Sequence, residues 1–358
     1  MGSRIIIMAG GTGGHVFPAL AVAELLLEKG WQVSWLGTQK GLESRVIPAQ
    51  GIEIDWLSVA GVRGKGVWSK ITAIINLFRA CLQAGRVLIK RKPDVVLGMG
   101  GFVAGPGGLM AKLLGIPLII HEQNRVPGTT NRLLARLANQ VLEGFPGSFN
   151  AKVAAKSTGN PLRKAFLLGL DHQVDRSESA VKLLIVGGSQ GAKILNETVP
   201  DALLELKTLL ADDQQIVVKH QTGSAMLDQV NGRYQELGIT ADVHAFIEDM
   251  VVAYQWADLV ICRAGAMTVS EVAAMGVPAI FIPLPNAIDD HQTANAHYLS
   301  DAGAGIILAQ KDMTPQSLAI CINTALTELP NMSLAVKQRA FLNATEVVAN
   351  YCIAEAAQ

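Results

Sequence analysis

Short apolar runs of strand length recur along this chain, and helix-length segments separate them. In the first half these runs cover residues 5–8, 33–36, 95–97 and 118–120, and in the second half residues 183–186, 216–218, 259–261 and 280–282. A continuous apolar strand is typically buried on both faces, and strands that alternate with helices build parallel sheets. The pattern therefore predicts an α/β fold that is repeated in two halves.

The length of 358 residues is too great for one ordinary domain and sufficient for two with separate cores. Each half also begins with the same order of strand, glycine loop and helix, since residues 10–14 (GGTGG) are echoed by residues 187–191 (GGSQG). A turn and a proline near Asn160-Pro161 mark the junction. We predict domains at 1–161 and 162–339, followed by a helical segment at about 340–358. Two placements are open for this segment, against the first domain or apart from it.

Composition argues against several classes of protein. The formal net charge is zero, which speaks against a nucleic-acid binder. The four cysteines are scattered without a paired spacing, so neither disulfides nor a zinc site is expected. No apolar run approaches the ~18 residues of a membrane span, and the first residues lack the pattern of a secretory signal. We therefore expect a cytoplasmic protein.

Three glycine-rich loops each follow an apolar strand, at residues 10–15, 98–106 and 187–191. Glycines at the start of a helix expose backbone N–H groups at its positive end, which suits a phosphate group. The first loop lacks the third glycine of a dinucleotide motif, because Val16 stands in its place. The loops predict more than one phosphate-bearing ligand. Close packing of helix on strand is the structural alternative for any single loop.

Polar segments follow three further strands, at residues 121–124, 263–271 and 289–292. The carboxyl ends of parallel strands face the ligand crevice, so these side chains are candidates for a binding site. A strict Asp-x-Asp metal motif is absent, and its nearest match at residues 53–55 is predicted to be a strand. We expect helix ends and backbone amides to stabilise a leaving diphosphate, with no required cofactor and a divalent metal at most auxiliary.

Several long motifs occur in a fixed order along nearly the whole chain. They are GGTGGHVFPALA (10–21), KPDVVLGMGGFVAGPGG (92–108), HEQN (121–124), GNP (159–161), GGSQGAKILN (187–196) and CRAGAMTVSE (262–271). With these motifs the chain resembles the peptidoglycan N-acetylglucosaminyltransferases of glycosyltransferase family 28. The resemblance implies a GT-B fold, in which two Rossmann-like domains with parallel sheets face a cleft.

The resemblance also implies which residues bind the donor, UDP-N-acetylglucosamine. The matching positions are Thr12, Gly13, Gly14, Asn124, Arg163, Ser189, Ile247, Ala264, Gly265, Ala266, Met267, Thr268, Val269, Glu271, His291 and Gln292. Glu271 matches the residue that binds the ribose hydroxyls. The family often has two adjacent glutamines where this chain has His291 and Gln292, so either of these two side chains is a candidate for the sugar contact.

The implied reaction is an inverting transfer. The 4-hydroxyl of lipid I, undecaprenyl-pyrophosphoryl-N-acetylmuramoyl-pentapeptide, attacks the anomeric carbon, UDP leaves, and lipid II forms for peptidoglycan synthesis. His15 is the candidate general base, with Glu122 and Asn124 as helpers. Its alternative role is to bind the acceptor pyrophosphate together with the glycines of the first two loops, Gly14, Gly100 and Gly101.

A basic stretch in the first half predicts docking to a membrane. Residues 57–92 contain no Asp or Glu and eight basic residues, Arg63, Lys65, Lys70, Arg79, Arg86, Lys90, Arg91 and Lys92. Within it, Ile71, Ile75, Phe78 and Leu82 share one helical face. Such a face ordinarily packs on its own sheet, but a basic rim favours an anionic phospholipid surface. We expect a peripheral protein on the cytoplasmic face of the bacterial inner membrane, with cell-wall synthesis and division proteins as further possible partners.

Two rival functions are compatible with the same architecture. A UDP-sugar epimerase would need acidic acid/base residues and no lipid acceptor, and a nucleotide-sugar-binding subunit would bind the donor without turnover. The basic stretch favours the transferase over both, because neither rival needs a membrane surface.

Overall fold

The computed structural model describes residues 2–58, 67–169, 180–188, 190–210, 215–285 and 287–357, without the side chains of residues 67–71, 73 and 288. The chain divides into two compact units. The first unit comprises Met1–Arg163 with Leu342–Gln358, and the second unit comprises Lys164–Phe341.

The first unit contains a seven-stranded parallel sheet in the order β3-β2-β1-β4-β5-β6-β7. Its elements in chain order are β1 (Arg4–Ala9), α1 (Gly13–Glu28), β2 (Gln32–Gly37), α2 (Glu43–Ala49), β3 (Glu53–Trp56), α3 (Val67–Arg91), β4 (Val95–Gly100), α4 (Ala104–Leu113), β5 (Leu118–Glu122), α5 (Thr129–Leu134), β6 (Gln140–Glu143) and β7 (Lys156–Ser157). The strand predicted at residues 53–55 is present as β3.

Successive residues of β1 belong to cores on opposite faces of this sheet. Ile5 and Ile7 pack with α1, whereas Ile6 and Met8 pack in the cluster that contains Ala84 of α3. Side chains alternate along a strand, so a strand between two helical layers must be apolar at every position. This is why the apolar runs were continuous in the sequence.

The second unit contains a six-stranded parallel sheet in the order β10-β9-β8-β11-β12-β13. Its elements are α6 (Lys164–Leu168), β8 (Ala180–Val186), α7 (Lys193–Lys207), β9 (Gln215–Gln221), α8 (Leu227–Glu236), β10 (Ala241–His244), α9 (Met250–Trp256), β11 (Leu259–Cys262), α10 (Ala266–Met275), β12 (Ala279–Phe281), α11 (His291–Ser300), β13 (Gly305–Ile307), α12 (Pro315–Thr327) and α13 (Leu329–Lys337). The predicted α/β fold with two Rossmann-like, parallel-sheet domains is confirmed.

The last helix, α14 (Ala344–Ala356), belongs to the first unit although it follows the whole second unit in the sequence. Val348, Ala349 and Cys352 are fully buried in the core cluster that also contains the inner face of α1. Gln140 of β6 donates a hydrogen bond to Glu355 at 2.7 Å. The C-terminal helix thus completes the core of the first unit.

Among the described residues, no helix is both long enough and apolar enough to cross a membrane.

Candidate active site

The candidate residues of the first unit lie where the strand order of its sheet reverses. β1 and β4 are neighbours at the centre, and the chain adds strands outward from them in opposite directions. Ligands of open parallel sheets bind beyond the carboxyl ends of the strands at such a switch point. The first glycine loop follows β1 and the second follows β4, so the topology brings these two loops together.

The first glycine loop turns directly into α1. Thr12 is extended, and Gly13 is already the first residue of the helix, so His15 lies in its first turn rather than before it. A Cβ on Gly13 would approach the Phe17 ring to 2.9 Å, which explains why glycine stands there. The first-turn amides of a helix have no intrahelical acceptor, so this end of α1 suits an anionic group.

The second glycine loop packs against the first one. Gly101 has a φ of +81°, and a Cβ there would lie 2.4 Å from the Gly10 carbonyl oxygen. Gly100 has a φ of +101°, and a Cβ there would lie 2.9 Å from the His15 ring. Only glycine tolerates this backbone conformation and this approach. The structure therefore places Gly14, His15, Gly100 and Gly101, the predicted acceptor residues, next to one another.

A buried carboxylate that sequence reasoning missed holds the first glycine loop. Glu43 is fully buried at the start of α2. One of its oxygens accepts from the Gly11 amide at 2.9 Å, and the other accepts from the amide and hydroxyl of Thr38, both at 2.8 Å. Glu43 thus ties the loop after β1 to the loop after β2. The sequence carries no signal for it, because its partners are two backbone amides and a hydroxyl in two separate loops.

The His15 ring is part of a chain of hydrogen bonds. Its Nδ1 lies 2.7 Å from Oε1 of Gln123, whose Nε2 lies 3.0 Å from both Nδ1 and the carbonyl oxygen of His121. The Nε2 atom of His121 lies 2.9 Å from the Gly159 carbonyl oxygen. His121 and Gln123 are fully buried, and burial lowers the pKa of His121 to about 4. His121 is therefore a neutral imidazole at neutral pH.

Glu122 acts as the hydrogen-bond acceptor that shapes the loop after β5. Its Oε1 accepts from the Asn124 amide at 2.9 Å and from the Asn124 side chain at 3.2 Å. Its Oε2 accepts from the Gly128 amide at 3.0 Å and from Asn131 Nδ2 at 2.9 Å. Both oxygens of this buried carboxylate are thus committed to positioning Asn124 and the loop that follows it.

Arg163 ends the first unit beside α1. Its guanidinium lies over the Phe17 ring, 5.3 Å from the ring centroid. A cation at this distance from a ring face is attracted by the ring quadrupole. Phe17 therefore sets the position of a cation one turn from the first glycine loop.

The second unit repeats the switch-point arrangement. β8 and β11 are its central neighbours, and a glycine loop follows β8. A Cβ on Gly191 would lie 1.9 Å from the Thr222 carbonyl oxygen, and a Cβ on Gly223 would lie 2.3 Å from that of Gln190. The loops after β8 and β9 therefore touch through glycine backbones. The predicted donor residue Ser189 lies outside the described residues.

Gln221 connects this loop to Ile247, and sequence reasoning missed it. Its Nε2 donates to the Gly188 carbonyl at 2.8 Å, and its Oε1 accepts from the Ile247 amide at 2.8 Å. Gln221 is buried at the carboxyl end of β9. The side chain brings Ile247, one of the predicted donor contacts, next to the second-unit glycine loop.

The predicted donor segment forms the start of α10, at the carboxyl end of β11. Gly265 precedes the helix with an extended backbone, and the residues of its first turn are Ala266, Met267, Thr268 and Val269. Glu271 lies one turn further along the same helix and is half-buried. The ten-residue helix presents its positive end beside the second-unit switch point.

Gln292 connects the segment after β11 to the segment after β12. Its Oε1 accepts from the Leu284 amide at 3.0 Å and from the Ala264 amide at 3.3 Å. His291 is the first residue of α11 and lies beside it in sequence. Arg263 is anchored nearby, because it donates to the carbonyl oxygens of Ile282 and Pro283 at 3.0 and 3.3 Å. Burial lowers the pKa of Arg263 from its ordinary value.

The apolar side chains predicted to face a membrane lie on α3. Ile75 and Phe78 are 45% and 63% exposed, Leu82 is also exposed, and the exposed Ile74 and Leu77 extend the patch. We call these five residues the α3 patch. The Ile71 side chain lies outside the described residues. The alternative of packing on the sheet therefore does not hold for Ile75, Phe78 and Leu82.

The basic stretch contains no acidic residue in its sequence, but acidic side chains from elsewhere in the first unit contact it in the structure. Arg91 pairs with Glu53 and, at 2.7 Å, with Asp55, both from β3. The side chains of Arg79, Arg86, Lys90 and Lys92 are exposed, whereas Arg63, Lys65 and the side chain of Lys70 lie outside the described residues. The charge of Arg91 is thus paired with two acidic side chains of β3 and does not add to a cationic surface.

In the described ranges no group of three His, Cys, Asp or Glu side chains has the arrangement of a metal site.

Comparison with known proteins assigns both units to one family. The N-terminal domain of glycosyltransferase family 28 matches residues 5–143, and the C-terminal domain of that family matches residues 182–350. The chain belongs to glycosyltransferase family 28. The resemblance inferred from the motifs is confirmed, and the protein is a glycosyltransferase enzyme.

Named members of family 28 are similar over their full length. The chain is 57% identical to a Methylococcus capsulatus protein named UDP-N-acetylglucosamine--N-acetylmuramyl-(pentapeptide) pyrophosphoryl-undecaprenol N-acetylglucosamine transferase, over 99% of both chains. A Shewanella protein of the same name is 48% identical over 99% of this chain and 98% of its own.

Solved structures agree with this family assignment. Acinetobacter baumannii MurG superimposes with a TM-score of 0.84 at 43% identity, over 98% of this chain and 99% of that one. A UDP-GlcNAc 2-epimerase from Neisseria meningitidis superimposes with a TM-score of 0.65 at 13% identity, over 99% of this chain and 100% of that one, and shares the fold alone.

Proposed function

We propose that this transferase moves N-acetylglucosamine from UDP-N-acetylglucosamine to the 4-hydroxyl of lipid I, giving lipid II in peptidoglycan synthesis. The observation that carries the proposal is the match to family 28 over both units, together with relatives whose printed name is this activity. In the inverting reaction the acceptor oxygen bonds to the anomeric carbon, the bond from that carbon to UDP breaks, and UDP leaves with the bonding electrons. A base on the protein takes the hydroxyl proton.

The second unit holds the donor in this proposal. The first-turn amides of α10 and the second-unit glycine loop stabilise the diphosphate, whose charge grows as UDP leaves. Glu271 accepts from the ribose hydroxyls, and Ile247, positioned by Gln221, contacts the donor. The other predicted contacts in the second unit are Ser189 of the loop and either His291 or Gln292. The position of Gln292 between the Ala264 and Leu284 amides supports its assignment to the sugar contact.

The first unit holds the acceptor. Its two glycine loops and the positive end of α1 bind the pyrophosphate, and His15 stands in that first turn as the base. Glu122 contributes by fixing Asn124, since both of its oxygens already accept hydrogen bonds. Thr12, Gly13 and Arg163 at this end of α1 stay predicted donor contacts.

The test uses the whole chain with labelled UDP-N-acetylglucosamine and a lipid I analogue. We expect transfer of the labelled sugar to the analogue. Conversion of the donor into an epimeric UDP-sugar would indicate an epimerase, and donor binding without turnover would indicate a binding subunit; either result contradicts the proposal. His15→Ala is expected to lower kcat by roughly 10²- to 10⁴-fold with little change in UDP affinity. A variant that loses mainly acceptor affinity would assign His15 to pyrophosphate binding instead.

We also propose that the α3 patch holds the enzyme against an anionic phospholipid surface on the cytoplasmic side of the inner membrane. The acceptor of the proposed reaction carries a polyprenyl chain, so the first unit must reach the bilayer. Exposed apolar side chains on α3, with exposed cations further along the helix, suit insertion at the headgroup boundary. Roles in cell shape and division, and contacts with cell-wall synthesis and division proteins, stay predictions from the resemblance.

Sedimentation with anionic vesicles tests this docking. Ile75→Glu with Phe78→Glu is expected to abolish vesicle binding while UDP affinity stays normal, because charged side chains do not enter the apolar boundary. The matched control is Ile320→Glu with Leu334→Glu on the second unit, where the two side chains are 59% and 63% exposed. Wild-type binding should weaken in high salt. Equal loss in both double variants, or normal binding by the α3 variant, would contradict the proposal.

The epimerase alternative is supported by fold similarity alone. Epimerase structures superimpose at 13% and 14% identity, whereas the family 28 domains match most of both units. In the first unit, Glu43 and Glu122 lie near the glycine loops, and both carboxylates accept hydrogen bonds from backbone amides. These hydrogen bonds give both carboxylates a structural role in the loops that they hold.

A further inference from the structure

The side chains of His15, Gln123 and His121 form a hydrogen-bonded chain, and backbone carbonyl groups fix one end of it and its middle. A carbonyl oxygen only accepts hydrogen bonds, so whichever group faces it must donate. One end of the chain faces the Gly159 carbonyl, and its middle faces the His121 carbonyl. These two acceptors determine the direction of every hydrogen bond between them.

The first step concerns His121. Its Nε2 faces the Gly159 carbonyl oxygen at 2.9 Å and must carry the ring proton. The ring is fully buried, and because burial lowers its pKa to about 4 it holds only this one proton at neutral pH. Its Nδ1 is therefore a lone-pair acceptor that points toward Gln123.

The second step concerns the Gln123 amide. The atom that faces both Nδ1 and the carbonyl oxygen of His121 has two acceptors at 3.0 Å, so it must be the NH₂ group. The opposite orientation would place the amide oxygen against two lone-pair acceptors in a fully buried site, which is costly. Asn160 also fixes the position of Gln123, because its Nδ2 donates to the Gln123 backbone carbonyl at 3.0 Å. The amide oxygen consequently faces His15.

We propose that Gln123 is a positioning residue that fixes His15 as the Nδ1–H tautomer, which leaves the lone pair on Nε2 for the acceptor hydroxyl. The Gln123 amide oxygen, 2.7 Å from Nδ1 of His15, only accepts, so Nδ1 must donate. This inference rests on the proposed function, since it assigns His15 as the base that receives the proton. A neutral amide orients the ring without contributing a charge, unlike the carboxylate that orients histidine in hydrolase triads.

Gly100 supports the same arrangement from the other side. A Cβ at this position would lie 2.9 Å from both Cε1 and Nδ1 of His15, so the ring edge rests on the bare backbone of the second glycine loop. The ring is thus held between a hydrogen bond and a close backbone contact. In the described part of the chain no side chain donates to its Nε2, which suits an atom reserved for substrate.

The first test is a tautomer measurement that needs no substrate. Long-range ¹H–¹⁵N spectra of the whole protein with ¹⁵N-labelled histidine distinguish protonated from unprotonated ring nitrogens, and His15→Gln identifies the His15 signals by their loss. We expect protonated Nδ1 and unprotonated Nε2 in the wild type. In Gln123→Met the ring loses its acceptor and should show both tautomers. A wild-type ring protonated on Nε2 overturns the inference, whether or not the variant folds.

The second test separates positioning from general stability. Gln123→Met should lower kcat about 10- to 100-fold with UDP affinity within twofold of wild type, and it should add little to the loss already caused by His15→Gln, because it acts through that ring. Gln140→Met removes a hydrogen bond from a half-buried glutamine of the same unit and should leave kcat unchanged. Fully multiplicative effects of Gln123→Met and His15→Gln would overturn the inference.

Failure of the inference is distinguishable from failure of the proposed function. A wild-type protein that transfers no sugar refutes the function, and the tautomer spectra still decide what Gln123 does. A wild-type protein that transfers sugar with His15 protonated on Nε2 refutes the inference alone.

Discussion

Replacing Glu43 by glutamine should loosen the first glycine loop, because an amide cannot satisfy the donors that the carboxylate now accepts from. The two oxygens of Glu43 accept from Gly11 N, Thr38 N and Thr38 Oγ1 at 2.8 to 2.9 Å. Whichever position the new NH₂ group takes, it faces a backbone N–H group. At least one charge-assisted bond worth about 1.5–3 kcal/mol is lost, and two buried donors then oppose each other.

The expected cost of Glu43→Gln is about 2–4 kcal/mol of the free energy of unfolding of the first unit. This is below the usual stability of a domain, so the variant should fold. Urea unfolding followed by circular dichroism measures the loss, and sugar transfer should fall, because the loosened loop leads into the helical turn that carries His15. Glu346→Gln, at an exposed position of α14, is the control, with an expected change below about 1 kcal/mol. A Glu43→Gln variant as stable as this control would refute the reasoning.

Three further predictions concern other parts of the structure. Glu271→Gln should weaken UDP-N-acetylglucosamine binding about 10-fold in calorimetry, since an amide accepts from ribose hydroxyls less strongly than a carboxylate; unchanged affinity would remove Glu271 from the donor site. Gly101→Ala should cost at least about 2 kcal/mol in thermal or urea unfolding because its Cβ meets a backbone oxygen at 2.4 Å, whereas Gly115→Ala, with open space around a φ of +71°, should cost about 1 kcal/mol. Burial lowers the pKa of His220 to about 3, so its neutral form stabilises the second unit fully above about pH 6.5 and progressively less as the pH falls toward 3. His220 Nδ1 lies 2.9 Å from the Tyr234 hydroxyl, so both side chains are changed together. The slope of stability against pH should flatten in His220→Leu with Tyr234→Phe, and an unchanged slope would contradict this assignment.

The central strands could be predicted from the sequence because each is buried on two faces. β1, β4, β5, β8 and β11 lie inside their sheets, and their apolar runs are unbroken. The short outer strands β6, β7, β10 and β13 were not predicted. They contain two to four residues, and several of their side chains are polar or partly exposed, so no apolar run marks them.

The sequence also indicated which loops carry the candidate site but not what holds those loops in place. Glycine motifs are visible because they are local in sequence. Glu43 and Gln221 were not chosen, and Gln123 was included only as part of the segment 121–124 without a role, since each acts through backbone groups or side chains up to 108 residues away. The basic stretch misled in one respect, because Arg91 is paired with acids of β3 that precede the stretch in sequence. Long-range polar contacts of this kind leave no periodic pattern.

The position of α14 has a consequence for the order in which the chain acquires its structure during synthesis. Val348, Ala349 and Cys352 complete the core around α1, yet the ribosome makes them after every residue of the second unit. Domains usually fold in the order in which they are synthesised. Here the first unit cannot complete its core along α1 until α14 has been synthesised. The second unit is contiguous in sequence, so it can complete its core earlier. The nascent first unit is therefore the part of this enzyme that depends most on protection from aggregation.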